Sequence, residues 1–318
     1  MLPLDWLVQA QERLKPYIRH THLEYDADNQ IYLKWENMQV TGSFKARGAL
    51  NKILSLEPWE RERGLVTASA GNHGQGVALG GNIIGTPVTV FASEHASSLK
   101  LHAIRELGAE VQLVPGGYGE AEQAGLEYAR QSDKTWVSAY NDGQVIAGQG
   151  TLGLEVLSDL PQELPITMIV PVGGGGLLAG ISAVIKSEYF PRHIYHAYGA
   201  QSEASPFMYE LFYKGTQDGT VESPSLADGL SGPVERNSLT IPLIKKYADG
   251  MILVTEAEIV QAMAYTYQRY GQRVEPSAAV SLAAILTGRV TQRPAIVVIT
   301  GGNIQPEIHQ QLINEYLE

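Results

Sequence analysis

The stretch I-V-P-V-G-G-G-G-L-L-A-G, Ile169 to Gly180, places four consecutive glycines between a strand-like apolar run and a helix-like apolar run. Glycines there let the backbone approach a ligand closely, and free amides at a helix start form an anion site. No Gly-Lys-Ser/Thr follows, and the G-x-G-x-x-G spacing of a dinucleotide site is absent. The simpler interpretation is a tight turn, but such a turn needs only one or two glycines. The stretch therefore predicts a phosphate site that does not belong to a dinucleotide.

Short apolar runs alternate with helix-like segments along most of the chain. Strands are predicted at 65–68, 88–92, 110–114, 135–138, 166–170, 194–200, 252–255 and 295–300, and helices at 72–83, 97–107 and 120–131. A helical segment also follows each of the last four strands. Continuous apolar strands separated by helices are typical of a parallel sheet covered on both faces, so the fold class is α/β. The segment 215–245 is rich in Gly, Pro and Ser and is predicted to be a long irregular connection.

Composition excludes several classes of function. The 318 residues are 44% hydrophobic and 18% charged, which is typical of a globular protein. A net charge of -11 argues against nucleic acid as a partner, and the absence of cysteine excludes disulfides, thiolate metal sites and cysteine nucleophiles. No apolar run approaches the ~18 residues of a membrane span, and no basic segment precedes an apolar one as in a secretory signal. We therefore expect no membrane association and a cytoplasmic location.

Two further strand-to-helix turns carry candidate binding groups. In T-A-S-A-G-N-H-G-Q-G-V-A, from Thr67, Asn72 is predicted to cap a helix, and His73 with further glycines suggests a backbone site for a carboxylate. The alternative is a plain capped helix with a surface histidine. In V-V-I-T-G-G-N-I, from Val297, a buried strand ends at Thr300. Ligands bind at the carboxyl ends of parallel strands, so the three turns could converge on one cleft.

A lysine and the histidines complete the candidate groups. Lys45, in T-G-S-F-K-A-R-G-A, begins a predicted helix and in isolation would be an ordinary solvated lysine. His20 and His22 alternate along the chain, and neither an H-E-x-x-H motif nor a G-x-S-x-G motif occurs. We therefore expect no metal site.

Five motifs in this order resemble the fold type II (β-family) pyridoxal phosphate enzymes, within them the serine/threonine dehydratase and serine racemase group. They are T-G-S-F-K-A-R-G-A at 41–49, S-A-G-N-H-G-Q-G at 69–76, V-I-A-G-Q-G-T at 145–151, G-G-G-G-L at 173–177 and T-G-G-N at 300–303. The resemblance implies two open, mainly parallel sheets covered by helices, as in the tryptophan synthase β chain. It also implies a large cofactor-binding domain from 1–63 and 144–318, and a small domain from 64–143 that carries the substrate carboxylate loop. A homodimer is expected.

The resemblance also implies a role for each matched position. The residues matched to the pyridoxal 5'-phosphate site are Phe44, Lys45, Asn72, Gly173, Gly174, Gly175, Gly176, Leu177 and Thr300. Those matched to the substrate carboxylate are Ser69, Ala70, Gly71, Asn72 and His73. Lys45 would form the imine with the cofactor and act as the catalytic base, Asn72 would bond the 3′-oxygen, and the glycines would cradle the phosphate. The hydroxyl of Thr300 would face the pyridine nitrogen, a weaker electron sink than a carboxylate partner would give, which suits prompt elimination.

Departures from the group's pattern narrow the expected reaction. Ala70 stands where the racemases have a serine that acts as a second base, so elimination is favoured over racemisation, and the aromatic Tyr140 points the same way. Gln201 and Phe207 replace acidic ligands of a cation site in many relatives. The short chain after Thr300 predicts no regulatory domain. We expect dehydration and deamination of L-threonine, L-serine or a related β-hydroxy amino acid. The alternatives are an amino-acid racemase, or a dehydratase of hydroxyaspartate or phenylserine.

Overall fold

The computed structural model describes residues 2–161, 166–188 and 194–317, and the strands in this part of the chain form two sheets. In chain order they are β1 (Leu23–Asp26), β2 (Ile31–Trp35), β3 (Leu65–Ala68), β4 (Val88–Ser93), β5 (Glu110–Val114), β6 (Thr135–Trp136), β7 (Ile166–Pro171), β8 (Ile194–Ser202), β9 (Gly250–Val254) and β10 (Ala295–Ile299). The larger sheet has the order β1-β2-β10-β7-β8-β9, and the smaller has the order β5-β4-β3-β6.

Helices cover both sheets. They are α1 (Leu4–Leu14), α2 (Lys45–Leu54), α3 (Pro58–Glu62), α4 (Asn72–Ile84), α5 (Ser98–Glu106), α6 (Tyr118–Gln131), α7 (Gly143–Asp159), α8 (Gly176–Ile185), α9 (Phe207–Lys214), α10 (Thr240–Tyr247), α11 (Glu256–Tyr270), α12 (Pro276–Leu286) and α13 (Pro306–Leu317). All strand pairs are parallel except β1 with β2, where Leu23 pairs with Lys34. The fold is therefore α/β with two mainly parallel sheets, and the predicted fold class is confirmed.

Strand β10 shows why a strand inside the larger sheet has an unbroken apolar sequence. Ala295, Val297 and Ile299 belong to the core cluster that includes α11 and α12, whereas Ile296 and Val298 belong to the cluster that includes α1, α7 and α8. Each residue of the strand is thus buried on one face or the other. A strand with helices on both faces has no polar side, so its sequence shows no alternation.

The N-terminal elements and one connection depart from the sequence-based expectations. The hairpin of β1 and β2 was not predicted, because β1 is only partly buried and the charge of Lys34 interrupts the apolar run of β2. The prediction of an irregular segment over 215–245 is wrong from Thr240, where α10 begins. Pro242 lies in the first turn of that helix, where a proline removes no intrahelical hydrogen bond, and Thr240 and Ile244 face the core.

Candidate active site

The start of α2 is fixed against the end of β10. The backbone amide of Phe44 donates to the carbonyl of Thr300 at 3.0 Å, and Ser43 forms an isolated bridge with Gly301. Buried apolar residues, among them Ala46 and Leu50, hold α2 in place, and the helix packs against α4 and α7. Lys45, the first residue of α2, is therefore held beside Thr300, although 255 residues separate them in the sequence.

The amine of Lys45 lies in an apolar, partly buried position. Its Nζ donates to the carbonyl oxygen of Ala139 at 3.1 Å and lies 5.3 Å from the centroid of the Phe44 ring. Burial lowers the pKa of Lys45 to about 8, although the negative charge of Glu275 acts in the opposite direction. At pH 7 about a tenth of the amines would then be neutral, compared with ~0.04% for a free lysine. The position of Lys45 therefore favours its neutral form.

The second glycine-rich turn joins β3 to α4. Ser69 Oγ accepts from the amide of Gly71 at 3.1 Å, and a Cβ at Gly74 would lie 2.4 Å from the carbonyl oxygen of Ser69. The prediction that Asn72 caps the helix is wrong, because Gly71 is the N-cap and Asn72 is the first helical residue. Residues 69–72, which include Ala70, are all half-buried. The amides of Asn72 and His73, in the first turn of α4, have no intrahelical partner and are arranged as in an anion site.

His73 points away from the turn into the protein. Its side chain is buried, and Nε2 donates to the carbonyl oxygen of Val137 at 3.1 Å. Burial and the nearby charge of Lys45 lower the pKa of His73 to about 3, so the imidazole is neutral at physiological pH. The interpretation as a surface histidine is thereby excluded. If residue 73 binds a carboxylate, it does so through its backbone amide and not through its side chain.

The four-glycine loop has no room for side chains. A Cβ at Gly174 would lie 2.4 Å from the ring of Tyr140, and one at Gly173 would lie 2.9 Å from the Cα of Leu230. Gly175, with φ of 89°, adopts the left-handed conformation at the N-cap of α8. The side chain of Leu177 packs in the core. A loop of this shape exposes backbone amides at a helix start, so the residues present fit a phosphate group.

Ala139 and Tyr140 connect the glycine loop to Lys45. Ala139 accepts from the lysine, while the neighbouring Tyr140 places its ring against Gly174 and its Cα and Cβ against Gly176. The hydroxyl of Tyr140 accepts from the backbone amide of Glu235 at 3.0 Å. Because Phe44 also bonds to Thr300, and Asn303 bonds to Asn72, the three predicted turns meet in one site.

Two polar residues of the site were missed by the sequence-based interpretation. Asn72 Nδ2 donates to Glu275 Oε1 at 2.7 Å, and Asn303 Nδ2 donates to Asn72 Oδ1 at 2.6 Å. Asn303 lies in a motif already singled out, but Glu275 precedes Pro276 at the start of α12, a pattern that indicates only a helix start. No local signal relates Glu275 to Asn72, which is 203 positions away.

Gln201 and Phe207, at the two positions where the family resemblance suggested acidic cation ligands, both contact or belong to α9. Gln201 Oε1 accepts from the backbone amide of Tyr209 at 2.9 Å, and Phe207 packs in the core. Across the described ranges, no group of three or more His, Asp or Glu side chains could hold a metal ion. The same ranges contain no helix long and apolar enough to cross a bilayer.

Comparisons with known proteins agree with this geometry. A sequence model described as pyridoxal-phosphate dependent enzyme matches residues 8–301. L-threonine ammonia-lyase of Thermotoga maritima is 40% identical over 324 aligned positions, which cover 100% of this chain and 79% of the relative.

Solved structures of this kind are also similar. Serine racemase of Dictyostelium discoideum superposes with a TM-score of 0.84 at 33% identity, covering 96% of this chain and 99% of the other. The processed form of threonine deaminase isoform 2 from Solanum lycopersicum superposes with a TM-score of 0.88 at 26% identity, covering 98% and 92%. These matches show that the chain belongs to the pyridoxal-phosphate dependent enzyme family, in its fold type II branch.

Proposed function

We propose that this protein is an ammonia-lyase that converts L-threonine, L-serine or a related β-hydroxy amino acid to a 2-oxo acid and ammonia. The observation that carries the proposal is the partly buried amine of Lys45, with its lowered pKa, held beside Thr300 and linked through Tyr140 to the glycine loop. The 40% identity to an L-threonine ammonia-lyase supports the choice of reaction and substrate.

The residues would share the binding of pyridoxal 5'-phosphate as follows. Gly173 to Gly176, with the amide of Leu177, would hold the phosphate, and Lys45 would hold the carbonyl carbon. Phe44 would lie beside the ring, while Asn72 and Thr300 would bond its polar atoms. When bound, the cofactor supplies the electron sink that makes an α-proton acidic.

Lys45 and the α4 turn would carry the proton transfer and the orientation of the substrate. The turn from Ser69 to His73 would bind the substrate carboxylate and so aim the α-hydrogen at Lys45. As a neutral amine, Lys45 Nζ would take that proton as a general base. Because Ala70 has no ionisable group, the opposite side of the site has no second base at this position. Loss of the β-hydroxyl is then favoured over return of a proton.

A screen for release of 2-oxo acid from L-threonine, L-serine, hydroxyaspartate and phenylserine tests the proposal and orders the substrates. We expect Lys45→Ala to lose both turnover and the visible absorption of bound cofactor. The matched control is Lys52→Ala, which removes a lysine from the same helix that pairs with Asp142 at 2.9 Å. Retained turnover in Lys45→Ala would reject the assignment.

The racemase alternative rests on the structural likeness to serine racemase. Incubation with L-serine followed by chiral chromatography separates the two reactions. We expect pyruvate to accumulate faster than D-serine. The opposite order would establish the racemase.

We also propose that the enzyme is a cytoplasmic homodimer, as the family resemblance suggests. Light scattering coupled to gel filtration should give about twice the chain mass of 34.6 kDa. A monomeric mass at micromolar concentration would contradict the dimer.

A further inference from the structure

Glu275 is an acidic side chain in the site with no helix-capping role. It occupies the N-cap position of α12, yet its carboxylate makes no capping hydrogen bond to that helix. Its backbone amide donates to the carbonyl of Gly301 at 3.1 Å, which fixes the residue beside the end of β10. The carboxylate is instead directed to Asn72. Local helix chemistry therefore does not account for a glutamate at this position.

The hydrogen bonds around Asn72 determine which way its amide faces. Asn303 Nδ2 donates to the carbonyl oxygen of Thr41 at 2.8 Å, so the amide nitrogen of Asn303 is on the side of Asn72. Asn72 must then present its oxygen to Asn303 and its nitrogen to Glu275. An ionised carboxylate only accepts hydrogen bonds, which enforces the same orientation from the other side.

In this orientation one of the two N–H groups of Asn72 Nδ2 has no acceptor among the described residues. An amide nitrogen carries two hydrogens, and Glu275 accepts a hydrogen bond from one of those on Asn72 Nδ2. Within the described ranges, no second acceptor contacts this nitrogen. If the amide were flipped, its oxygen would meet the carboxylate and the donor would be lost.

We propose that Glu275 is a positioning residue whose carboxylate holds the amide of Asn72 in the orientation that leaves its second Nδ2 hydrogen for the 3′-oxygen of the cofactor. The proposal rests on the proposed function, because that function supplies the cofactor. It assigns to Glu275 an effect on cofactor affinity and absorption that acts through Asn72.

Two glycines provide the space that this arrangement needs. A Cβ at Gly301 would lie 2.5 Å from Glu275 Oε1 and 3.2 Å from Asn72 Nδ2. A Cβ at Gly42 would lie 2.5 Å from Asn303 Oδ1. Any larger residue at either position would push apart the groups that orient the amide. The close approach of three polar side chains is thus built into the backbone on both sides.

The surroundings of Glu275 move the ionisation of its carboxyl group towards neutral pH. Burial raises the pKa of Glu275 to about 7, with a further contribution from the negative charge of Asp228 and an opposing one from Lys100. The positive charge of Lys45 also faces Glu275. Below the pKa the carboxyl group is protonated and loses its charge-assisted hydrogen bond to Asn72. The hold on the amide therefore weakens in acid.

The experiment compares holoenzymes that carry Glu275→Gln, Glu275→Asp or Asn303→Ala with a matched control, Glu256→Gln. Glu256 is also a glutamate at a helix start and accepts hydrogen bonds from Ser225 and Leu226, away from Asn72. The readouts are the pH midpoint of the visible cofactor absorption, the dissociation constant of the cofactor and the urea midpoint, all measured without substrate.

We expect Glu275→Gln and Asn303→Ala to weaken cofactor binding about fivefold to tenfold and to shift the absorption midpoint, because both act on the same amide. Glu275→Asp, which keeps the charge, should recover part of the loss. In an Asn72→Ala background, Glu275→Gln should change the dissociation constant less than about twofold. The control should alter only the urea midpoint.

An unchanged midpoint and dissociation constant in Glu275→Gln would overturn the proposal, as would full additivity with Asn72→Ala. A loss of urea stability alone would assign Glu275 a purely structural role and would also overturn it. Failure of the proposed function gives a different result. In that case the wild-type protein itself would bind no cofactor or release no 2-oxo acid.

Discussion

At the scale of single residues, the lowered pKa of Lys45 predicts how the cofactor-depleted protein combines with pyridoxal 5'-phosphate. Only the neutral amine attacks a carbonyl group, and the pKa of Lys45 is about 8. The rate of imine formation should rise about tenfold per pH unit up to pH 8 and then level off. Stopped-flow absorbance over pH 6–10 measures it. A midpoint near the ordinary lysine value of about 10.4 would contradict the lowered pKa.

Ala70 gives a second residue-scale prediction, on the outcome of the reaction. Ala70→Ser restores a hydroxyl in the half-buried turn that precedes α4. A positioned proton-transfer group contributes about 10²–10⁴-fold, so we expect the ratio of D-serine to pyruvate to rise at least tenfold. Chiral chromatography after incubation with L-serine gives the ratio, and Ala70→Gly is the control for altered backbone freedom. An unchanged ratio would mean that position 70 does not decide between the reactions.

The site residues differ in how far the sequence could predict them. Lys45, Gly173 to Gly176 and Thr300 lie within short motifs, so their neighbours in the chain indicate their environment. The partner of Asn72 could not be predicted from a short motif. Glu275 reaches Asn72 only after the chain has folded back across the larger sheet. The direction of His73 depends in the same way on Val137, at the end of another strand. The assigned roles of these residues stay predictions until the variants are measured.

At the scale of elements, a buried ion network ties α2 to α7 and to the turn after β2. Arg47 donates to both carboxylate oxygens of Glu155, at 2.7 and 2.8 Å, and to both of Glu36, at 2.7 Å each. Arg47 and Glu36 are fully buried. The network holds the first turn of α2, and therefore Lys45, in place.

Removing one member of this network should be costly, because it leaves an uncompensated buried charge. We expect Glu36→Gln to lower the free energy of unfolding by about 3–5 kcal/mol. Glu127→Gln removes the partner of Arg130 on the exposed side of α6, where solvent screens the charges, and should cost much less. Urea titration of both variants measures the difference. Equal losses would show that the network does not hold the helix.

The elements themselves were predicted to different degrees. Strands of the buried parallel sheets were recognised from their unbroken apolar runs, and β10 is one example. In the hairpin, Lys34 of β2 is fully buried with Glu155, so a charge interrupts a short strand and hides its pattern. Helix α10 was hidden by Pro242 and by the glycine- and serine-rich segment before it. These elements depend on contacts with residues that are distant in the sequence. Local composition carries no signal of such contacts.

At the scale of the whole molecule, the site lies between the two sheets, and polar contacts join the parts on either side. Lys100 of α5 contacts Asp228 at 3.0 Å, and Gln305 Nε2 donates to Ser97 Oγ at 3.1 Å. The smaller sheet is formed by one continuous stretch of chain, and the larger sheet by the stretches before and after it. The boundaries at residues 64 and 143 stay a prediction. The Lys100–Asp228 pair lies beside Glu275, whose pKa responds to both charges.

The Lys100–Asp228 pair should help the two parts close on a substrate. Its side chains are partly exposed, so its contribution is at most about 1 kcal/mol, or roughly fivefold in KM. We expect Lys100→Ala to raise KM about twofold to fivefold with little change in kcat. Because salt screens exposed pairs, wild-type KM should rise between 0.05 and 0.5 M NaCl by about the same factor, whereas KM of the variant should not. Arg130→Ala, which breaks a pair within α6, is the control. If KM of wild type and Lys100→Ala responds equally to salt, the pair has no part in closure.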